Sequence, residues 1–304
     1  MTRTLRWAGL VAVTTLIAPG SSWAQQNFDT VQVRSERVAE GVYMLRGAGG
    51  NIGLSIGADA VFVVDDQYAP LTPKIRAAIA ALTDRPVRFV LNTHWHGDHT
   101  GGNEAMGKAG ALLVAHDNVR RRMSAGQVME FFADTVAPAP QGALPVVTFS
   151  DTVTFHINGD AVRAFHVPAA HTDGDAFILW RNANVVHAGD VFVTYGFPFI
   201  DLSSGGSIDG LIAAVDVLLT LGDENVKIIP GHGALSDRAA VREYRAMLGT
   251  VRDRVRRGIA AGRTLAQIVA TRPTAEFDAR WGSGFVTPEQ FVELVYRSLG
   301  AERR

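Results

Sequence analysis

Four side chains able to bind a metal fall within six positions, His94-Trp95-His96-Gly97-Asp98-His99, directly after the apolar run Val87-Arg88-Phe89-Val90-Leu91-Asn92-Thr93. His94 and His96 are two apart, so in an extended segment both project to one side. Gly97 permits a sharp turn that brings Asp98 and His99 to a second centre. One short loop can therefore feed two metals. Three more donors follow: His171, then Asp190 after Gly189, then His232 between Gly231 and Gly233. Neutral imidazoles and carboxylates suit Zn²⁺ in sites that keep a coordination position open. Two such ions can acidify a bound water from 15.7 to about 7 and polarise a carbonyl. Hydrolysis of an ester, lactone, thioester or lactam fits that chemistry.

The set resembles the metallo-β-lactamase superfamily. The family pattern H-x-H-x-D-H, then H, then D or C, then H is matched by His94, His96, Asp98, His99, His171, Asp190 and His232, and the resemblance spans about Val38 to Gly233. It implies a mixed α/β fold, a four-layer αβ/βα sandwich with two mixed β-sheets and the metals in a cleft at one edge. Residue by residue, it implies that His94, His96 and His171 hold a first metal, that Asp98, His99 and His232 hold a second, and that Asp190 bridges them. Two Zn²⁺ are the implied cofactors. A carboxylate at 190, where one subclass carries Cys, leaves Fe²⁺ or Mn²⁺ as alternatives.

The resemblance also frames the candidates around the metals. Asp98 counts as a catalytic carboxylate as well as a ligand. Tyr195, five residues after Asp190, is the second catalytic candidate, a phenol able to donate to a developing oxyanion. Asp65 ends Val61-Phe62-Val63-Val64 and matches the family's strand-end acid, which orients a ligand.

These residues lead to a β-lactamase-like metallohydrolase that opens a cyclic amide or ester. One feature opposes it: members with Cys at the bridging position bind the drug's carboxylate with a Lys three residues on, and Val193 stands there in this chain. The alternative is a lactone or thioester hydrolase of the glyoxalase II or lactonase kind. Iron dioxygenases on the same fold form another class, and a zinc store is the non-enzymatic reading. Diiron relatives place Glu where His96 stands, which disfavours that branch.

The remaining sequence bounds the setting. With 304 residues, 47% of them hydrophobic, the chain can bury a full core, read as one domain over 25–304 with helices after the core at about 38–233. A formal charge of −1 argues against nucleic acid, which needs concentrated Lys and Arg, so the expected partner is a small-molecule substrate. The oligomeric state is left open. Arg3 and Arg6 before an apolar stretch from Trp7 to Ala18, with Ala24 at a cleavage point, read as a secretory signal over 1–24. The stretch is short of the ~20 residues that span a bilayer. Its removal takes the charge from −1 to −1 − 2 = −3 and directs the chain to the periplasm or outside. Cysteine is absent, so disulfides cannot contribute.

Periodicity supplies the supporting elements. Strands are expected over 42–46, 52–56, 60–64, 112–115, 153–157, 162–167, 176–180, 185–187 and 227–229. Helices are expected over 72–82, 117–123, 207–221 and 237–261, with a last one opened by Thr287-Pro288-Glu289-Gln290 in capping-box spacing. Two strand-rich halves suggest an internal pseudo-repeat. Arg120-Arg121-Arg122 reads as a solvated face. Residues 126–145 read as a long loop that can cover the cleft, with Met129, Phe131 and Phe132 as either an apolar substrate wall or a packed turn. His116, His156, His166 and His187 are assigned structural roles. Asp173 is assigned to a turn, and Asp175 and Asn103 to turns or to orienting contacts.

Overall fold

The computed structural model describes residues 27–301, so the leader expected over 1–24 lies outside the described residues. The chain opens with β1 (Arg34–Ala39), β2 (Val42–Arg46), β3 (Ile52–Ile56) and β4 (Val61–Val64), each antiparallel to the next. Helix α1 (Thr72–Ala80) crosses over to β5 (Val87–Asn92), which lies parallel to β4. Parallel neighbours need such a crossover. Helices α2 (Gly97–Thr100) and α3 (Asn103–Lys108) then return to β6 (Leu112–His116). Helix α4 (Asp117–Ala125) and a hairpin of β7 (Gln127–Met129) and β8 (Asp134–Val136) precede β9 (Val147–Phe149), the last strand of a seven-stranded mixed sheet.

A second sheet of six strands repeats the plan. Strands β10 (Thr152–Ile157), β11 (Asp160–His166), β12 (Ala176–Trp180) and β13 (Val185–His187) pair antiparallel. Helix α5 (Ile208–Leu218) crosses over to β14 (Lys227–Ile229), parallel to β13, and β15 (Ser236–Asp237) closes the edge. Helices α6 (Arg238–Ala260), α7 (Leu265–Ala270), α8 (Asp278–Trp281) and α9 (Pro288–Ala301) follow.

Side-chain alternation along the strands builds the layers. Phe62 and Val64 of β4 join Ile178, Trp180 and Val185 in one buried cluster between the sheets, while Val61 and Val63 face outward onto Leu71, Ile75 and Ile79. On the far side, Phe177 and Val186 pack against Leu211 and Val215 of α5, Tyr244 and Leu248 of α6 and Phe291 of α9. The result is the expected αβ/βα sandwich. Trp180 and Phe62 are fully buried, and each such side chain contributes on the order of 2–3 kcal/mol.

Helix starts follow their caps: Ser207 and Asp237 accept from Gly210 N and Ala240 N, and Thr287 and Gln290 form the reciprocal pair expected. The segment 126–145 is not an unstructured loop but carries the β7–β8 hairpin. No helix among the described residues is long and apolar enough to cross a membrane.

Candidate metal centre

The histidine motif lies just past the end of β5. His94 leaves the strand, Trp95 turns away to donate from Nε1 to Ser204 Oγ at 3.0 Å, and His96 precedes α2, whose first turn carries Asp98 and His99. Gly97 was expected to supply a sharp turn, but it is absent from the positive-φ glycines and is simply the first residue of that helix. The turn comes from His96, extended at φ −60° and ψ 145° ahead of the helix. His171 sits between β11 and β12, Asp190 in the 3-10 turn after β13, and His232 after β14.

All seven expected donors converge here. One atom each from His94, His96 and His171 lies within 4.8 Å of the others, and the same holds for His94, His99 and Asp190, and for Asp98, His99 and His232. Asp190 Oδ1 is 3.2 Å from His99 Nε2, while Oδ2 is 3.4 Å from His232 Nε2 and 3.8 Å from His171 Nε2. Its carboxylate therefore stands between the two groups. Two glycines let backbone approach closely. A Cβ on Gly50 would meet His99 Cε1 at 2.2 Å, and one on Gly231 would meet Asp190 Oδ1 at 2.0 Å.

Four of the five rings are aimed by a partner on the other nitrogen. His96 Nε2 donates to Asp201 Oδ2 at 3.0 Å, His171 Nδ1 to the Phe199 carbonyl at 2.8 Å, and His99 Nδ1 to Asp65 Oδ2 at 2.7 Å. Thr93 Oγ1 donates to Asp65 Oδ2 and so accepts from His94 Nδ1 at 2.9 Å. These bonds fix the tautomers and leave lone pairs on the nitrogens that face inward. His96 Nδ1 and His171 Nε2 then confront each other at 2.9 Å, and His94 Nε2 is buried with no hydrogen-bond partner. Two lone pairs at that separation repel, and an orphaned buried acceptor costs about 1–3 kcal/mol. A divalent cation relieves both, so the donor set fits a metal.

The charges divide the site. Burial and the neighbouring His99 hold His94 well below the usual imidazole range, and burial with His96 lowers His171 to about 4. Both are neutral, as ligands must be. Burial opposes charge on His232 as well, but Asp190 and Asp98 outweigh it and push the ring up to about 10. Burial alone would raise Asp98, yet His99 and His232 hold its carboxyl down at about 2. The half of the site built by Asp98, His99, Asp190 and His232 thus demands positive charge, which a cation also provides.

Asp65 takes the expected orienting place and holds a left-handed backbone at φ 61°, a conformation that stores strain in a non-glycine residue. Tyr195 is 37% exposed, with its ring 5.4 Å from that of His232. Burial, Asp190 and Asp98 all raise its phenol above the usual range, so it stays protonated and able to donate. Val193 is buried and apolar. Asp175 receives His171 N, Thr172 N and Thr172 Oγ1, fixing the His171 loop. Asn103 pairs with Asn92 and the Ala143 carbonyl under α2.

The other expected structural residues stay out of the site. His116 and His166 stack at 3.7 Å, His187 bonds the Asn51 carbonyl, and His156 is exposed. Arg122 departs from the expected solvated face. It grips Asp173 through two bonds of 2.6 and 2.7 Å and ties α4 to the His171 loop.

Asp201, Phe199 and Tyr68 were not anticipated. Burial, Asp98 and Asp190 raise the Tyr68 phenol, which brings a second protonated tyrosine to the acidic half. No motif marks these residues: Phe199 and Asp201 come from the segment before Leu202–Ser204, and Tyr68 from the loop after β4.

A model of the metallo-beta-lactamase superfamily matches residues 48–232, more than half of the chain, and the chain belongs to that superfamily. It is 24% identical over 244 residues to the atrochrysone carboxyl ACP thioesterase of Aspergillus chevalieri, covering 80% of this chain and 66% of that one. It is 27% identical over 164 residues to the hydroxyacylglutathione hydrolase of Nitrosococcus oceani, covering 54% and 55%. The chain spans less than two thirds of the length of the curated relatives it matches. Among solved structures, the metallo-beta-lactamase from Pontibacter korlensis has the same fold, with a TM-score of 0.59 at 16% identity over 72% of this chain and 99% of that one.

Proposed function

We propose that this chain is a metal-dependent hydrolase with two zinc ions per chain, acting on a small-molecule thioester or lactone. The position of Asp190 between both histidine groups carries this reading. His94, His96 and His171 would hold one ion, Asp98, His99 and His232 the other, and Asp190 both. When bound, the metals supply Lewis acidity toward the carbonyl and lower the pKa of water.

The chain's own groups do the rest. Asp98, ionised down to about pH 2, accepts a hydrogen bond from the attacking water and aligns it. Tyr195 donates its phenolic proton in a hydrogen bond to the carbonyl oxygen as negative charge grows there. A thiolate then departs without being protonated, because thiols ionise near pH 8.5. An amide nitrogen must gain a proton to leave, a requirement that a thiolate does not share. The relatives named as thioesterase and as hydroxyacylglutathione hydrolase support the same order of preference.

β-Lactam hydrolysis is the second reading, favoured by the export signature over residues 1–24, which would deliver the enzyme to the periplasm or the exterior. One comparison tests both: turnover of an acyl thioester, a lactone and a chromogenic cephalosporin by purified protein loaded with zinc, then stripped by chelator. Chelator-sensitive kcat/KM above about 10⁴ M⁻¹s⁻¹ on the thioester or lactone, with weak cephalosporin turnover, supports the first reading. The reverse order supports the second, and activity indifferent to chelator sinks both.

A further inference from the structure

The metal-facing histidines are bordered on one side by four phenylalanines from three separate segments. Phe199, whose carbonyl aims His171, has its ring 6.0 Å from His96 and 5.9 Å from His171. Phe131 and Phe132, in the turn between β7 and β8, stand 5.4 and 4.9 Å from Phe199. Phe285, between α8 and α9, continues the row 5.5 Å from Phe132 and is 50% exposed. An apolar surface thus runs from the metal donors to a half-exposed ring, and apolar patches of this kind beside polar groups mark ligand contact.

The outermost member is held in place deliberately. Phe197 pairs with Val286 across an isolated bridge and donates its N–H to the Trp281 carbonyl at 3.0 Å. Gly196 and Gly284 face each other so closely that a Cβ on either would come within 2.6 Å of the other's Cα. The segment that follows Asp190 and Tyr195 is thereby clamped to the segment carrying Phe285. Phe285 also lies outside the residues 48–232 that match the family model, so this part of the wall belongs to the chain's own C-terminal helices.

We propose that Phe132, Phe199 and Phe285 form a specificity wall that selects substrates whose acyl group carries an aromatic ring or a comparably bulky hydrocarbon. The wall receives that group while the carbonyl lies at the metal centre. This inference rests on the hydrolase reading above for the location of the carbonyl, but ligand binding alone also reports on it.

The test pairs turnover with binding. Zinc-loaded full chain is assayed with the S-acetyl and S-phenylacetyl thioesters of N-acetylcysteamine, and acetate and phenylacetate are titrated calorimetrically. The wall predicts a kcat/KM ratio of about 10 or more in favour of the phenylacetyl thioester, carried mainly by KM, and tighter binding of phenylacetate than of acetate. Phe285→Ala, at a half-exposed site that tolerates truncation, and Phe132→Leu should each reduce that ratio several-fold. Gly284→Ala, which removes no phenylalanine but shifts the segment that carries Phe285, should do the same. A ratio near one in the natural protein, or one that survives all three substitutions, overturns the wall. Absence of thioester turnover would refute the thioester reading, and Phe285-dependent preference for phenylacetate would still uphold the wall.

Discussion

Asp201 Oδ2 accepts from His96 Nε2 at 3.0 Å and so turns the opposite nitrogen, Nδ1, to within 2.9 Å of His171 Nε2. Both partners are nearly inaccessible to solvent, so the carboxylate fixes a ring orientation that solvent would otherwise randomise. Asp201 also caps the turn at Leu202–Ser204 by accepting from Ser204 N. Replacing an orienting partner of this kind weakens metal binding by about 10–100-fold. Asp201→Ala should therefore retain the native circular dichroism spectrum but lose zinc to a competing chelator at correspondingly lower chelator concentration. Unchanged zinc affinity would remove Asp201 from the site.

The glycines that admit the ligands allow the site to be broken without removing any donor. Gly231 presses on Asp190 and Gly50 on His99, and an added methyl must push the ligand aside by about an ångström. Displacements of that size cost about 100-fold in rate. Gly231→Ala and Gly50→Ala should each lower kcat/KM by at least that factor with all seven donors present. Measuring bound zinc alongside turnover separates a misplaced ligand from a lost metal.

The two histidine groups should respond differently to deletion. His96→Ala or His171→Ala removes a donor from the group that includes His94 and should cut hydrolysis by about 10³-fold or more, since each metal is worth several kcal/mol of charge stabilisation. Asp190→Ala should reduce the metal content from two ions per chain toward one, read by elemental analysis. Two ions retained in that variant would contradict a bridging carboxylate.

Tyr195 tests the oxyanion assignment. Tyr195→Phe keeps the ring beside His232 and removes only the donor. A kcat lower by about 10²-fold with KM little changed would match a hydrogen bond made as charge develops. Equal kcat in both proteins would leave Tyr195 as packing, and the phenol of Tyr68 would be the next candidate to remove.

The convergence of the seven candidate donors was legible because their chemistry is local: histidines and carboxylates clustered at the ends of apolar runs have few other uses. The sheets were legible for a related reason, since β4 and β12 are buried on both faces and so read as continuous apolar runs. Asp201 was not, as it lies 105 residues from His96 and carries no periodic or motif signal. The wall was half legible. Phe131 and Phe132 stand together in the sequence, but the hairpin that presents them has strands of only three residues, too short for a pattern. Phe285 reaches Phe132 only through tertiary packing of the C-terminal helices.

Asp175 links the His171 loop to pH. Its carboxyl is fully buried, and burial raises it to about 7 despite the hydrogen bonds from Thr172 and His171 that favour the charged form. An acid whose folded pKa lies above its unfolded value near 3.9 binds its proton more tightly in the native state. Its contribution to stability is therefore complete below about pH 4 and is lost as pH rises through about 7. Three pH units correspond to at most about 4 kcal/mol. Asp175→Asn mimics the protonated carboxyl, since its carbonyl oxygen accepts the two backbone N–H groups and its amide faces the Thr172 hydroxyl. Relative to this variant, the natural protein should lose stability steadily between pH 4 and 7 and hold a constant offset above about 8. Denaturant unfolding of both proteins across that range reads the difference directly, and parallel curves would place the Asp175 titration outside the window.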